Sequence, residues 1–196
     1  KSFIPALFFH GKKDKFILSK GHAGAAVYAA LSLKGIIPAK KLYSYYKNGS
    51  VFSGHVSHYK VPGIEFSTGS LGHGIGLACG VALASKLDKN NCNVYTLVGD
   101  GELNEGSCWE AFLFANHNKL NNLTIIIDRN NYQSILKTEK TLKLNPLKKK
   151  IKSFGLDVFE VNGNNILQLK KALKKDTKSS KVIIANTTKG SGVSFM

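Results

Sequence analysis

Two short apolar runs, Val94-Tyr95-Thr96-Leu97-Val98 and Leu123-Thr124-Ile125-Ile126-Ile127, lack the polar alternation of a half-exposed strand. Such runs predict parallel strands buried on both faces. Between them Trp109, Phe112, Leu113 and Leu120 recur near helical spacing on a segment of about 18 residues, which makes a strand-helix-strand unit. Toward the N-terminus, Lys15 to Leu18 reads as a short stretch leading into a helix from about Gly24 to Lys34. Pro38 starts a second helix running toward Lys47, since its fixed φ suits a first helical turn. Residues 48–71, rich in Gly, Ser, His and aromatics without period, read as a functional loop. A helix from about Gly72 to Leu87 precedes the first run. After Asn131 come a polar loop and a lysine-rich helix from about Pro146 to Phe154. A strand (Asp157 to Val161), a helix (Ile166 to Leu173) and a strand (Lys181 to Thr187) follow. The alternation predicts an α/β fold, a doubly wound, mostly parallel sheet with helices on both faces.

The first run closes on Gly99-Asp100-Gly101-Glu102-Leu103-Asn104-Glu105-Gly106, and the second on Asn130-Asn131. In such a sheet ligands sit beyond the carboxyl ends of the strands, where both Asp100 and Asn130 fall. The glycines let backbone amides approach phosphate oxygens, and the following helix turns its positive end toward them. A hard divalent cation such as Mg²⁺ combines one or two protein oxygens with phosphate oxygens and water, so the pair suits a metal-diphosphate site. Gly-Asp-Gly alone is equally a common turn; the second strand with its terminal Asn is what makes the pattern specific. Gly69, Gly72, Gly74, Gly76 and Gly80 surround Leu71 and His73 where a helix should begin. There the backbone can approach a ligand, or the helix can pack closely on a neighbour.

Together these blocks resemble the thiamine-diphosphate-dependent transketolases, especially their split, short N-terminal subunits. The resemblance rests on Phe16-Ile17-Leu18-Ser19-Lys20-Gly21-His22-Ala23, Ser53-Gly54-His55, Pro62 through Gly74 with Ser67-Thr68-Gly69-Ser70-Leu71-Gly72, the Asp100/Asn130 pairing, and Val182 through Gly192. It implies a thiamine-diphosphate-binding fold, with thiamine diphosphate and Mg²⁺ as cofactors and Ca²⁺ or Mn²⁺ able to replace the metal. Cofactor contacts would fall on His22, Gly69, Ser70, Leu71, Asp100, Gly101, Glu102 and Asn130, and metal ligands on Asp100, Asn130 and Tyr132. Ser70 stands where many full-length members have Pro, a change that a backbone contact would survive.

The resemblance also assigns catalytic roles to His55, His22 and Glu105. His22 would bond the diphosphate and line the substrate entrance, and His55 would contact the ketose donor's hydroxyls and assist proton movement. An imidazole suits such work because its pKa lies near neutrality and each nitrogen can donate or accept. Glu105, which could be merely a charge at a helix start, would belong to a carboxylate network crossing a dimer interface to a second glutamate. That second glutamate belongs to the family's pyrimidine-binding domain, and nothing here resembles it. Residues 1–196 are therefore expected to be a single diphosphate-binding domain, without the pyrimidine-binding and C-terminal domains. The expected partner is a pyrimidine-binding subunit or a missing C-terminal region, in a dimer or heterotetramer, and the chain alone is expected to be inactive. The family places a histidine motif before residue 1 and another histidine after Met196, so either end is expected to be incomplete. His73 aligns with a common Gln, and His10, His58 and His117 carry no motif and read as structural.

The remaining features limit the function class. A chain of 196 residues that is 43% hydrophobic can bury one ordinary core. No run approaches the length of about 20 residues that spans a bilayer and no secretory signal is visible, so a soluble, cytoplasmic protein with no membrane association is expected. Cys79, Cys92 and Cys108 lack metal-ligand spacing and read as reduced thiols without catalytic work, Cys79 in the core. The net charge of +16 invites a polyanion-binding reading, but Arg129 is the only arginine. Arginine is the favoured residue for bidentate phosphate and base contacts, so specific nucleic-acid recognition is not expected. The clusters Lys148-Lys149-Lys150 and Lys174-Lys175 read as solvated helix faces. The function implied is the cofactor-binding half of a transketolase in carbohydrate metabolism of the pentose phosphate type. It would move a two-carbon ketol unit from a ketose phosphate to an aldose phosphate. The alternatives are another thiamine-dependent ketol transferase, a 2-oxo acid enzyme subunit, or a non-catalytic basic scaffold subunit.

Overall fold

The computed structural model describes residues 13–134 and 136–195; His10 lies outside them. Its centre is a five-stranded parallel sheet. The strands are β1 (Lys15–Leu18), β2 (Val94–Gly99), β3 (Leu123–Arg129), β6 (Asp157–Asn162) and β7 (Lys181–Asn186), in the order β1-β2-β3-β7-β6. Two further short strands, β4 (Tyr132–Gln133) and β5 (Leu136–Lys137), form an antiparallel hairpin.

The unbroken apolar runs of β2 and β3 are buried because both faces of the sheet are covered. Side chains alternate between the faces along a strand. On β3, Leu123, Ile125 and Ile127 therefore join one core cluster and Ile126 the other; on β7, Val182 and Ile184 oppose Ile183 and Ala185. The first cluster is closed by α2 (His73–Leu87), α3 (Gly106–His117) and α5 (Leu147–Ser153), through Ile75, Ala78, Phe112 and Ile151. The second is closed by α1 (Gly24–Leu33) and α6 (Ile166–Leu173), through Val27, Tyr28, Leu31 and Leu169, with Phe52, Val56 and Val61 from the long loop. Each Val, Leu, Ile or Phe side chain among them, fully buried, contributes about 1.5–3 kcal/mol. Helices on both faces of a parallel sheet are the doubly wound arrangement that the pattern predicts. No helix among the described residues is long and apolar enough to cross a membrane.

Three elements depart from expectation. Lys15–Leu18 is itself the edge strand, pairing in parallel with Val94–Leu97; four residues are too few for periodicity to reveal this. The segment after Pro38 is a 3₁₀ helix, Ala39–Ser44, with no fully buried residue, and not an α-helix reaching Lys47. Without an apolar face to bury, a longer helix gains little. The stretch after Asn131 is not simply a loop: it forms the β4–β5 hairpin and then the short helix α4 (Thr138–Thr141).

Candidate functional site

A cavity of ≈ 800 Å³ opens at the carboxyl ends of the central strands. His22, His55, Gly69, Leu71, Asp100, Gly101, Glu102, Glu105, Asn130 and Tyr132 all line it. Residues far apart in the chain thus converge because β1, β2 and β3 end side by side. Ser70 is exposed beside it and is not among the lining residues.

Close backbone packing shapes the walls. A Cβ on Gly21 would lie 2.8 Å from the Thr68 carbonyl oxygen, so only glycine lets the Ser19–His22 turn abut the Gly69 loop. Thr68 Oγ1 donates to the Leu18 carbonyl at 2.5 Å, closing the same contact. His55 stands opposite Gly69, its backbone carbonyl held by Ser53 Oγ at 2.6 Å and Tyr28 Oη at 3.2 Å. Gly72, at φ 80°, begins α2 from the left-handed region that glycine adopts at no steric cost.

Asp100 is completely buried. Its Oδ2 accepts from the Asn131 N–H at 2.7 Å, Arg129 Nη1 at 3.0 Å and Thr138 Oγ1 at 3.2 Å; among the described residues Oδ1 accepts from the Gly101 N–H alone, at 2.9 Å. Asn131 reaches Asp100 from φ 66°, a conformation asparagine tolerates. Burial pushes the Asp100 carboxyl above its usual range, against the opposing pull of these donors. Asn130 Oδ1 accepts from the Tyr132 N–H at 3.0 Å, and its Nδ2 donates to Asp128 at 3.2 Å. Lys20 Nζ meets Asp128 Oδ2 at 2.5 Å, and Thr187 Oγ1 also donates to Asp128. Burial alone would raise the Asp128 carboxyl, but the Lys20 charge and these hydrogen bonds hold it below its ordinary value.

Glu102, which the resemblance assigns to cofactor contact, lines the cavity while its carboxylate bonds within the protein. Its carboxylate is 2% exposed and fully engaged by the protein: Ser19 Oγ at 2.5 Å, the Gly72 N–H at 2.9 Å and the Gly99 N–H at 2.9 Å. Glu105 caps the start of α3 with no side-chain capping hydrogen bond, and is exposed at the cavity edge. His22 faces the cavity; desolvation by the surrounding walls, then the charges of Lys20 and Lys189 and the neighbouring His55, lower its pKa below 6.5. His73 is exposed at the start of α2, and His58 Nδ1 pairs with Ser67 Oγ at 2.8 Å.

Sequence reasoning did not single out Asn104 and Gln133 among the lining residues. Asn104 donates to Gln133 Oε1 at 2.7 Å while its own Oδ1 is buried without a partner, and Lys20 and Lys189 add positive charge to the rim. A buried acceptor with no donor suits a ligand that brings one. No group of three or more His, Cys, Asp or Glu among the described residues could hold a metal alone. Hard oxygens from Asp100 and Asn130, completed by ligand phosphates, nevertheless fit a Mg²⁺-diphosphate pair. The three cysteines are buried and free, and burial pushes the Cys79 and Cys108 thiols up to about 12.

Fold and cavity together define an α/β domain built to hold an anionic cofactor at its strand ends. The chain belongs to the transketolase family: residues 5–195 match the model for "Transketolase, thiamine diphosphate binding domain". It is 42% identical over 188 residues to one subunit of the apulose-4-phosphate transketolase of Phocaeicola vulgatus, covering 94% of this chain and 66% of that protein. It is 37% identical over 187 residues to the 6-deoxy-6-sulfo-D-fructose transketolase subunit SqwG of a Clostridium species, covering 94% and 68%. Human transketolase is 37% identical over 205 residues, covering 97% of this chain but 32% of the enzyme. A Pichia stipitis transketolase crystallised with fructose 6-phosphate superposes with a TM-score of 0.85 at 32% identity, over 91% of this chain and 29% of that one.

Proposed function

We propose that residues 1–196 are the diphosphate-binding domain of a transketolase whose pyrimidine-binding and C-terminal domains lie on a partner subunit or elsewhere in the same polypeptide. With them it transfers a two-carbon ketol unit from a ketose phosphate to an aldose phosphate. The observation that carries this is the placement of Asp100 and Asn130 at neighbouring strand ends, with Asp100 Oδ1 lightly bonded, above a cavity shared with His22 and His55.

In this reading Asp100, Asn130 and the backbone carbonyl of Tyr132 hold Mg²⁺, with Ca²⁺ or Mn²⁺ as substitutes. Gly69, Ser70, Leu71, Gly101 and Glu102 present backbone to the cofactor, the Glu102 side chain being engaged elsewhere. Thiamine diphosphate, when bound, supplies the carbanion chemistry of ketol transfer. The protein binds, orients and moves protons. His22, its pKa lowered, is neutral at physiological pH and can donate from one ring nitrogen while accepting at the other. His55, which lines the same cavity, would bond donor hydroxyls, and Lys20 and Lys189 would attract phosphate. Glu105 at the open edge is available to a carboxylate from a partner. A site open along one side favours a dimer or heterotetramer, and the subunit names of two relatives support a separate partner chain. Cytoplasmic sugar-phosphate metabolism is the setting proposed.

Calorimetric titration of the full-length protein, with its partner, by thiamine diphosphate and MgCl₂ tests this reading. Metal-dependent binding that disappears in Asp100→Ala, with ketol transfer between sugar phosphates lost in His55→Ala, is expected. Absence of cofactor binding overturns the proposal.

A further inference from the structure

The single arginine of this lysine-rich chain sits against the carboxylate proposed to hold the metal. Arg129 is 4% exposed. Its Nη1 meets Asp100 Oδ2 at 3.0 Å and its Nη2 meets Glu139 Oε1 at 2.5 Å. A planar guanidinium can face two carboxylates from two nitrogens at once; a lysine ammonium, a single point charge, has no such fixed fork. Glu139 is anchored in turn, its Oε1 also accepting from the N–H groups of Leu144 at 3.2 Å and Asn145 at 3.3 Å. Arg129 is therefore held at its far end while it grips Asp100.

The consequence lies in how the two oxygens of Asp100 are used. A carboxylate offers about two acceptor directions per oxygen. Oδ2 already receives three donors, Arg129, the Asn131 N–H and Thr138 Oγ1, whereas Oδ1 receives one. Only Oδ1 retains an open direction. Mg²⁺ takes single oxygens in a tight octahedron with water and phosphate, while Ca²⁺ takes more oxygens and commonly both of one carboxylate.

We infer that Arg129 and Thr138 are positioning residues that together set metal selectivity: by filling Asp100 Oδ2 beside the Asn131 N–H they confine the carboxylate to one-oxygen ligation through Oδ1, favouring Mg²⁺ over Ca²⁺. This rests on the metal-diphosphate reading of the same cavity. Thr138, buried and donating to the same oxygen, acts in the same sense.

The test is calorimetry on the full-length protein with thiamine diphosphate, titrated separately with MgCl₂ and CaCl₂, for wild type, Arg129→Met, Thr138→Val and the double variant Arg129→Met/Thr138→Val. The ratio of the Ca²⁺ to the Mg²⁺ dissociation constant should fall about tenfold in the double variant, which leaves Oδ2 only the Asn131 N–H of its three donors, and move little in either single variant, which leaves two donors for two acceptor directions. General loosening of the site weakens both metals alike and leaves the ratio unmoved, so a merely structural role gives a different result. Should the double variant not fold, Arg129→Lys/Thr138→Val, whose ammonium keeps a charge beside Glu139, decides. A ratio unchanged in the folded double variant overturns the inference while leaving the metal site intact. Wild-type protein that binds neither metal overturns the site reading and the inference with it.

Discussion

The Ser19 hydroxyl donates to the Glu102 carboxylate at 2.5 Å although the two residues are 83 positions apart. Ser19 Oγ also accepts from the Ile75 N–H at 3.0 Å, and Glu102 accepts from Gly72 and Gly99. One buried pair therefore clips together the turn after β1, the start of α2 and the end of β2, the three segments that floor the cavity.

Glu102→Gln should break this clip. Each carboxylate oxygen accepts a backbone N–H, and an amide has only one oxygen, so one buried N–H is left facing a donor. The expected cost is about 1–3 kcal/mol, read from denaturant unfolding, with weaker thiamine diphosphate binding by calorimetry. Equal stability of the variant and wild type would refute the clip.

Two glycines on one helix should respond oppositely. A Cβ on Gly74 would lie 2.4 Å from the Ser19 Cα, a backbone atom that cannot step aside, whereas one on Gly76 meets nothing within 4 Å. Gly74→Ala should destabilise by about 1–3 kcal/mol. Gly76→Ala should stabilise by roughly 0.5–1 kcal/mol through helix propensity. Thermal unfolding of the pair checks both signs.

His22 should make stability fall on acidification. Its folded pKa lies below the ordinary 6.5, so between the two values the unfolded chain binds more protons than the folded one. Its contribution is complete above pH 6.5 and is lost as pH drops through 6.5 toward the lowered folded value. The melting temperature should therefore decline more between pH 7.5 and 5.5 in wild type than in His22→Asn; parallel curves would contradict the assignment.

The thiols should be inert in the native state. With Cys79 and Cys108 near 12, only about one molecule in ten thousand carries thiolate at either position at pH 8. Cys92 is also buried, and its thiol is raised by desolvation. Iodoacetamide at pH 8, followed by mass spectrometry, should label none of the three until denaturant is added.

By itself the sequence determined the strands β2 and β3, the helix His73–Leu87, and the position of Asp100 and Asn130 at their carboxyl ends. Unbroken apolar runs and helical spacing are local properties, and they state which faces must leave water whatever the rest of the chain does. The edge strand Lys15–Leu18 was not legible, because its identity comes from pairing with Val94–Leu97 and not from its own four residues. The same holds at the site. That Glu102 turns inward to Ser19 and Gly72, that Arg129 grips Asp100, and that Lys20 meets Asp128 are contacts between residues distant in sequence. Only the closure of the tertiary structure brings such groups within hydrogen-bond reach. A buried charge then takes whichever partners that closure supplies, since leaving it unpaired costs more than any local preference can offset.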